Sequence, residues 1–250
     1  MAIPLPDGLV TPALVVDPDV LDRNFSRMAE ASRSQGSALR PHAKSHWCAP
    51  IADRQLRAAG AGCRWRLGNA LHGSARPVEV LVEVDSGSHR TGVQPHAAGE
   101  VGKAAADAGL DVVGVFTFPG HGYGHDAQAR ERVARDEERM LGEAAQALQD
   151  LGLDIRVVSG GSTPTVGQWQ PGAVNELRPG VYVFNDATQL AIGTCEVGDL
   201  ALVAAATVIS VSASDRSLVG RSDRRRYGST LPTVRLCWPS GSSCAGPAPG

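Results

Sequence analysis

The sequence predicts an α/β fold: a parallel βα barrel, incomplete, followed by the start of a β domain. Three observations predict it. Short apolar runs alternate with amphipathic stretches from residue 13 to residue 186, and repeated strand–loop–helix units imply parallel strands, because parallel strands need crossovers. The polar, glycine-rich segments PHAKSH, SGSHRTG, PGHGYGH and SGGSTPT each follow an apolar run, which is where the loops of a βα barrel gather its active site. From Asp199 the alternation stops, and LALVAAATVISVSAS is a long β-like run with no helix behind it. A doubly wound open sheet is the competing architecture, since periodicity alone does not separate the two.

Ala13 to Val16 is a short apolar run, and Asp17-Pro18 offers a cap followed by proline at the first helical position. Val20, Leu21, Phe25 and Met28 then share one helical face, with Gly36 as the stop. A strand near Ala38 to Arg40 runs into PHAKSH, and a helix follows over Ala49 to Ala59. Val78 to Asp85 is a strand whose turn leads to an alanine-rich helix near Ala97 to Ala108. Asp111 to Phe118 is a strand, and a charged helix runs from Ala127 to Asp150. Asp154 to Ser162 is a strand entering a Gly-Ser-Thr loop, and Glu176 to Asp186 is the last unit. The expected domains are a barrel over 1–197, shortened near 64–76, the start of a β domain over 198–219, and a disordered tail over 220–250, whose Ser/Gly/Pro composition buries little. Five arginines between Arg216 and Arg226 leave a basic interaction arm as the alternative for that tail.

Composition narrows the function classes. Of 250 residues, 42% are hydrophobic and 20% charged, an ordinary globular mix. A net charge of -2 gives no global attraction to nucleic acid or an anionic membrane. The cysteines Cys48, Cys63, Cys195, Cys237 and Cys244 form no CxxC pair, which favours free thiols over a zinc knuckle or a disulfide scaffold. The first residues are broken by Pro and Asp and lack a basic start, and no apolar stretch is long enough to span a bilayer. The expected location is the cytoplasm.

Four loops and one strand end carry the candidate chemistry. Lys44 in RPHAKSH stands where a partly desolvated amine can attack an aldehyde; an isolated lysine in a loop is more often simply solvated. His42 and His46, spaced i, i+4, raise a metal site as a rival. Arg90 in HRTG offers a planar fork suited to a carboxylate. His121 and Tyr123 lie in GHGYG, and the turn SGGST presents N–H groups and hydroxyls to an anion. Taken singly, the Lys44 and HRTG motifs read more readily as solvated loops, and GHGY equally well as one.

Taken together, TPALVVDPDVLDRNFSRMA, RPHAKSHWCAPIADRQLRAAGA, VEVDSGSHRTGV, FPGHGYGH, SGGSTPT and ELRPGVYVFND resemble, in family order, the alanine-racemase-type (TIM-like) barrel of the fold-type III pyridoxal-phosphate (PLP) enzymes. The D-threonine aldolase and D-serine dehydratase branch is the nearest, and the resemblance covers residues 10–63 and 76–219. It implies a lyase acting on small D-amino acids through a Schiff base on Lys44. Arg90 would lie over the cofactor or at the substrate carboxylate, His121 near the substrate and Tyr123 near the pyridine nitrogen. Gly161, Ser162 and Thr163 would bind the phosphate with Tyr182 beside it, while Asn185 and Asp186 match the FND that closes the barrel.

Two departures accompany the resemblance. Only RWRLGNALHGSAR stands between Cys63 and Pro77, where the family has several further βα units, and the remaining strands should leave an open edge. The family's β domain binds a divalent metal through a His and a Cys or Asp; Cys237 and Cys244 have no neighbouring His, so no metal ligand is assigned. A non-catalytic PLP-binding protein and an inactive truncated remnant therefore stay open as alternatives. A homodimer, usual for such barrels, also stays open.

Overall fold

The computed structural model describes residues 5, 8–59, 78–124, 126–168, 172–211, 217–220 and 234–237. The shortened segment 64–76 and the arginine cluster beyond Gly220 lie outside them, as does most of the expected tail. Contacts divide the chain into two compact units, Phe25–Tyr182 and a second made of Met1–Asn24 with Val183–Gly250.

In chain order the elements are β1 (Ala13–Val16), α1 (Pro18–Ser34), β2 (Ala38–Leu39), α2 (Ala49–Ala59), β3 (Glu79–Glu83), α3 (Ala98–Asp107) and β4 (Asp111–Phe116). They continue as α4 (Ala127–Gln149), β5 (Val157–Gly160), β6 (Glu176–Leu177), α5 (Ala187–Ala191), β7 (Leu202–Val211), β8 (Ser217–Gly220) and β9 (Val234–Cys237).

The unit Phe25–Tyr182 is built on a five-stranded sheet in the order β2-β6-β5-β4-β3, every pair parallel. Strands β3 to β6 are neighbours in chain order, and the first strand, β2, pairs with the last, β6. A barrel closes in that way, whereas a doubly wound sheet reverses its order part-way across. The sheet is thus an incomplete α/β barrel. Among the described residues its open edge falls between β2 and β3, which are joined through residues 60–77, outside the described residues.

Local sequence explains the helices. In α1, Asp17 Oδ1 accepts from the N–H groups of Asp19 and Val20, and Pro18 at the first position forfeits an N–H that had no helical partner. In α4, Asp126 caps the first turn by accepting from Gln128 N–H at 2.9 Å. Arg135–Glu131 and Arg139–Glu143 pairs line its exposed side, each adding a few tenths of a kcal/mol. The buried stripe Ala134, Leu141, Ala144, Ala145 and Leu148 joins Val82, Val84, Val112, Val115, Val158 and Leu177 of the strands in one core. Two buried residues break the apolar character of that stripe, Arg130 and Glu137.

The second unit contains an antiparallel sheet in which β7 pairs with β1, β8 and β9. The alternation of elements grouped Ala13–Val16 with the barrel strands, but β1 is not part of the parallel sheet. Its burial alternates along the strand, leaving Leu14 73% exposed. A strand wetted on one face suits an antiparallel sheet, while parallel strands are covered on both faces. Within the stretch expected to lack structure, Val234–Cys237 forms β9.

Candidate active site

The eight residues expected to contact cofactor or substrate (Lys44, Arg90, His121, Tyr123, Gly161, Ser162, Thr163 and Tyr182) lie in segments that follow β2 to β6, at one edge of the parallel sheet. Lys44 sits in the helical turn Ala43–Ser45 after β2. Its Nζ stands 4.9 Å from the centroid of the Phe118 ring. Arg90, in the loop after β3, places its guanidinium carbon 5.5 Å from the same centroid. Tyr123, in the loop after β4, tilts its ring at 47° with 6.3 Å between ring centroids. Phe118 is therefore the platform on which three of the expected residues meet. Each cation–ring contact contributes about 0.5–1 kcal/mol at a wet site, enough to orient a long side chain.

Hydrogen bonds stitch these loops together. Ser88 donates from Oγ to the Phe118 carbonyl at 2.9 Å and accepts the Gly120 N–H at 2.9 Å. With that hydroxyl proton committed, Ser88 Oγ faces His121 Nδ1 as an acceptor, at a long 3.5 Å. A proton on Nδ1 would meet that acceptor and leave Nε2 as the basic atom. The ring lies against Gly87, where an added Cβ would stand 3.1 Å from Nε2. Burial holds His121 below its ordinary pKa, with the field of Asp85 opposing and that of His89 assisting. Asp85 anchors the turn beneath by accepting from the N–H groups of Gly87 and His89 and from the His89 ring. Those bonds hold its carboxyl below the usual range although burial alone would raise it.

On the β2 side, Ser45 Oγ donates to Gly180 O at 3.0 Å, and His42 N–H donates to Pro179 O at 3.0 Å. Burial, with help from Arg178, Lys44 and Arg40, pushes His42 down to about 4. His46 accepts the Cys48 N–H on Nδ1 at 3.0 Å, so its proton is on Nε2 and donates to Gln55 Oε1 at 2.8 Å. Gln55 Nε2 in turn donates to Tyr182 Oη at 3.1 Å. With both ring nitrogens engaged, His46 has no lone pair for a metal, and the His42/His46 rival finds no support. Among the described residues no group of three or more His, Cys, Asp or Glu could hold a metal ion.

The turn after β5 is buried and internally bonded. Gly161 has φ +86°, a region open to glycine and costly for other residues. Its N–H donates to Glu137 Oε1 at 2.7 Å, and the Ser162 N–H donates to Thr165 Oγ1 at 2.9 Å. Thr163 Oγ1 accepts the Tyr182 N–H at 3.1 Å, so its own hydroxyl proton can point elsewhere. Gly161 and Ser162 thus shape this turn with N–H groups already used, and Thr163 carries its donor capacity. The turn lies against the His121 loop, since a Cβ on Gly122 would stand 2.8 Å from Thr165 Cγ2.

Two features differ from expectation. Lys44 is exposed rather than partly desolvated. Its strand is an edge of the described sheet, so among the described residues no neighbouring strand covers that flank. Phe118, Gln55 and Glu137 escaped the sequence reading. Phe118 had a signal, being one of only four phenylalanines and standing directly before PGHGYGH. Gln55 and Glu137 had none, since each lies in an ordinary charged helical stretch.

The comparisons with known proteins bear on this arrangement. The family described as alanine racemase, N-terminal domain, matches residues 63–188. The chain belongs to this family. It is 32% identical to D-threo-3-hydroxyaspartate dehydratase from Delftia sp. (strain HT23), over 80% of this chain and 68% of that one. The structure of that dehydratase superposes with a TM-score of 0.73 at 31% identity, covering 83% of this chain and 70% of the other. D-threonine aldolase from Filomicrobium marinum superposes with a TM-score of 0.69 at 28% identity, covering 84% and 72%. That family match begins after Lys44, so the expectation for that residue rests on the RPHAKSH motif.

Proposed function

We propose that this member of the alanine racemase N-terminal family is a PLP-dependent lyase acting on small D-amino acids with a β-hydroxyl group, with the cofactor held covalently at Lys44. The supporting observation is the meeting of Lys44, Arg90 and Tyr123 around one aromatic ring at the carboxyl edge of the parallel strands.

The residues present fit the cofactor. A primary amine beside an aromatic platform can bond an aldehyde, and the buried turn with Gly161 at positive φ offers the Thr163 hydroxyl to a phosphate. When bound, the cofactor supplies an electron sink that weakens the bonds at the substrate Cα. Arg90 pairs with the substrate carboxylate through its planar fork. Neutral Nε2 of His121 takes the proton of the β-hydroxyl, or returns one to it as it leaves. Tyr123 would offer the bound cofactor an uncharged partner and so moderate its electron sink, and Tyr182, held by its bond from Gln55, would support the phosphate end.

The test is borohydride reduction of the chain incubated with PLP, with peptide mapping, followed by assay of aldehyde, ammonia and oxo-acid release from a panel of D-β-hydroxy amino acids. The reading expects label on Lys44, turnover of at least one substrate, and loss of both in Lys44→Ala. Label elsewhere, or activity unchanged in Lys44→Ala, refutes it. A second reading, a PLP-binding protein without turnover, is favoured by the exposure of Lys44; label on Lys44 with no turnover across the panel selects it.

A further inference from the structure

Glu137 is fully buried near the middle of α4. One carboxyl oxygen accepts the Gly161 N–H at 2.7 Å, and the other, Oε2, is buried with no partner among the described residues. A structural carboxylate at such a depth ordinarily has a cation or several donors. Here it has one backbone N–H, at the residue that opens the anion-binding turn. We propose that Glu137 is a positioning residue for that turn: its neutral carboxyl holds Gly161–Thr163 in shape for a doubly charged oxyanion, and its ionisation weakens anion binding. The inference rests on reading the turn as the cofactor's phosphate site.

The surroundings support a neutral carboxyl. Burial pushes Glu137 up to about 8, against the pull of the Gly161 N–H and with the aid of Glu138. The other charged neighbours do little to oppose this. Arg130 on the same helix directs Nη1 to Gly124 O, and Glu138 turns to the Ala173 N–H. On the packed elements α3 and its preceding turn, His96, Glu100, Lys103 and Asp107 are exposed. Strand β5 brings no charged residue, β4 brings Asp111, which pairs with Arg156 at 3.1 Å, and the turn Gly120–Tyr123 brings His121, held below its ordinary pKa by burial, with Tyr123 against Phe118. Arg178 beyond β6 lies over the Phe116 ring at 4.8 Å. A neutral Glu137 accepts from Gly161 without adding negative charge beside the anion. Once ionised it repels the anion through a medium of low polarity. By reciprocity, a bound anion makes Glu137 harder to ionise.

Sulfate is the probe, because its charge is fixed across the pH range used. Its affinity is titrated at pH 7 and pH 9 by amide chemical shifts of Gly161 and Thr163, for the full wild-type chain and for Glu137→Gln. The glutamine keeps an oxygen acceptor for the Gly161 N–H and cannot ionise. The wild type should weaken several-fold, up to a ceiling of about tenfold, between the two pH values, while Glu137→Gln matches the wild type at pH 7 and changes less than twofold. In the wild type alone, the Gly161 amide shift should titrate near pH 8. Equal pH profiles in the two proteins overturn the proposal, as does no sulfate binding at this turn. PLP labelling of Lys44 separates the two readings: label with equal sulfate profiles sinks only the role of Glu137, and split profiles without label sink only the proposed function.

Discussion

Replacing Tyr182 by Phe removes a single oxygen, and the surroundings of that oxygen set the cost. Tyr182 is 4% exposed and Gln55 1%, and the Gln55 Nε2 bond to Tyr182 Oη, 3.1 Å long, runs between them in the interior. The phenylalanine keeps the edge-on packing of the ring against Phe25, at 6.3 Å, so little apolar contact is lost. What is lost is the acceptor for a buried amide N–H that water does not reach. Leaving such a donor unmet costs about 1–3 kcal/mol. Gln55→Leu alone should cost a similar amount, because it strips the acceptor from His46 Nε2 and the donor from Tyr182 Oη together. In the double variant the Gln55–Tyr182 pair is apolar, so the combined cost should fall below the sum of the single costs by about 1–2 kcal/mol. Urea unfolding of the four proteins, read as midpoints at unchanged slope, measures that coupling. Costs that add to within about 0.5 kcal/mol would refute the buried His46–Gln55–Tyr182 chain.

Glu137→Gln should also change how stability depends on pH. The folded value near 8 lies above the unfolded 4.5, so the folded chain keeps a proton that the unfolded chain releases, and stability falls as pH rises through that window. His42, lowered from 6.5 to about 4, acts oppositely, adding stability as pH rises from 4 to 6.5. The contribution of Glu137 is therefore exposed between pH 6.5 and 8, where wild type should lose about 2 kcal/mol that Glu137→Gln retains; parallel curves in urea contradict this. Gly92→Ala should cost about 1–3 kcal/mol from backbone strain at φ +94° alone, and its Cβ would press on Asp85 N at 2.7 Å. Substrate binding through Arg90 should weaken with it, and an unchanged unfolding midpoint and KM would contradict that. Leu148→Ala, at a position with 0% exposure in the core of α4, should cost about 3–5 kcal/mol, checked by thermal or urea unfolding with PLP labelling intact in the surviving folded fraction.

Much of the parallel unit was legible in the sequence, for a physical reason. Apolar periodicity, the Asp17-Pro18 cap and the glycine-rich loops are local features, and they place α1 to α4 and β2 to β5 within a few residues of their observed bounds, while of the last unit, Glu176 to Asp186, only Glu176–Leu177 is strand. Motif order likewise put Lys44, Arg90, His121, Tyr123, Gly161, Ser162, Thr163 and Tyr182 in segments following parallel strands. The choice between a closed-type and a doubly wound sheet was not local. It turned on the pairing of β2 with β6 across residues 38 to 177, and no window of sequence contains that pairing. The assignment of β1 to the antiparallel sheet depended equally on its distant partner β7.

The sequence by itself determined the kind of elements, their order and the chemical types in the loops, because propensity, capping and turn chemistry act between neighbours along the chain. Tertiary structure alone decided which side chains those loops share. It made Phe118 the common platform of Lys44 and Arg90 and gave the Gly161 N–H to Glu137. It also joined His46 to Tyr182 through Gln55. Those contacts depend on burial and on distances between residues far apart in sequence, and desolvation, which fixes the charge on Glu137 and His42, exists only once the chain has folded around them.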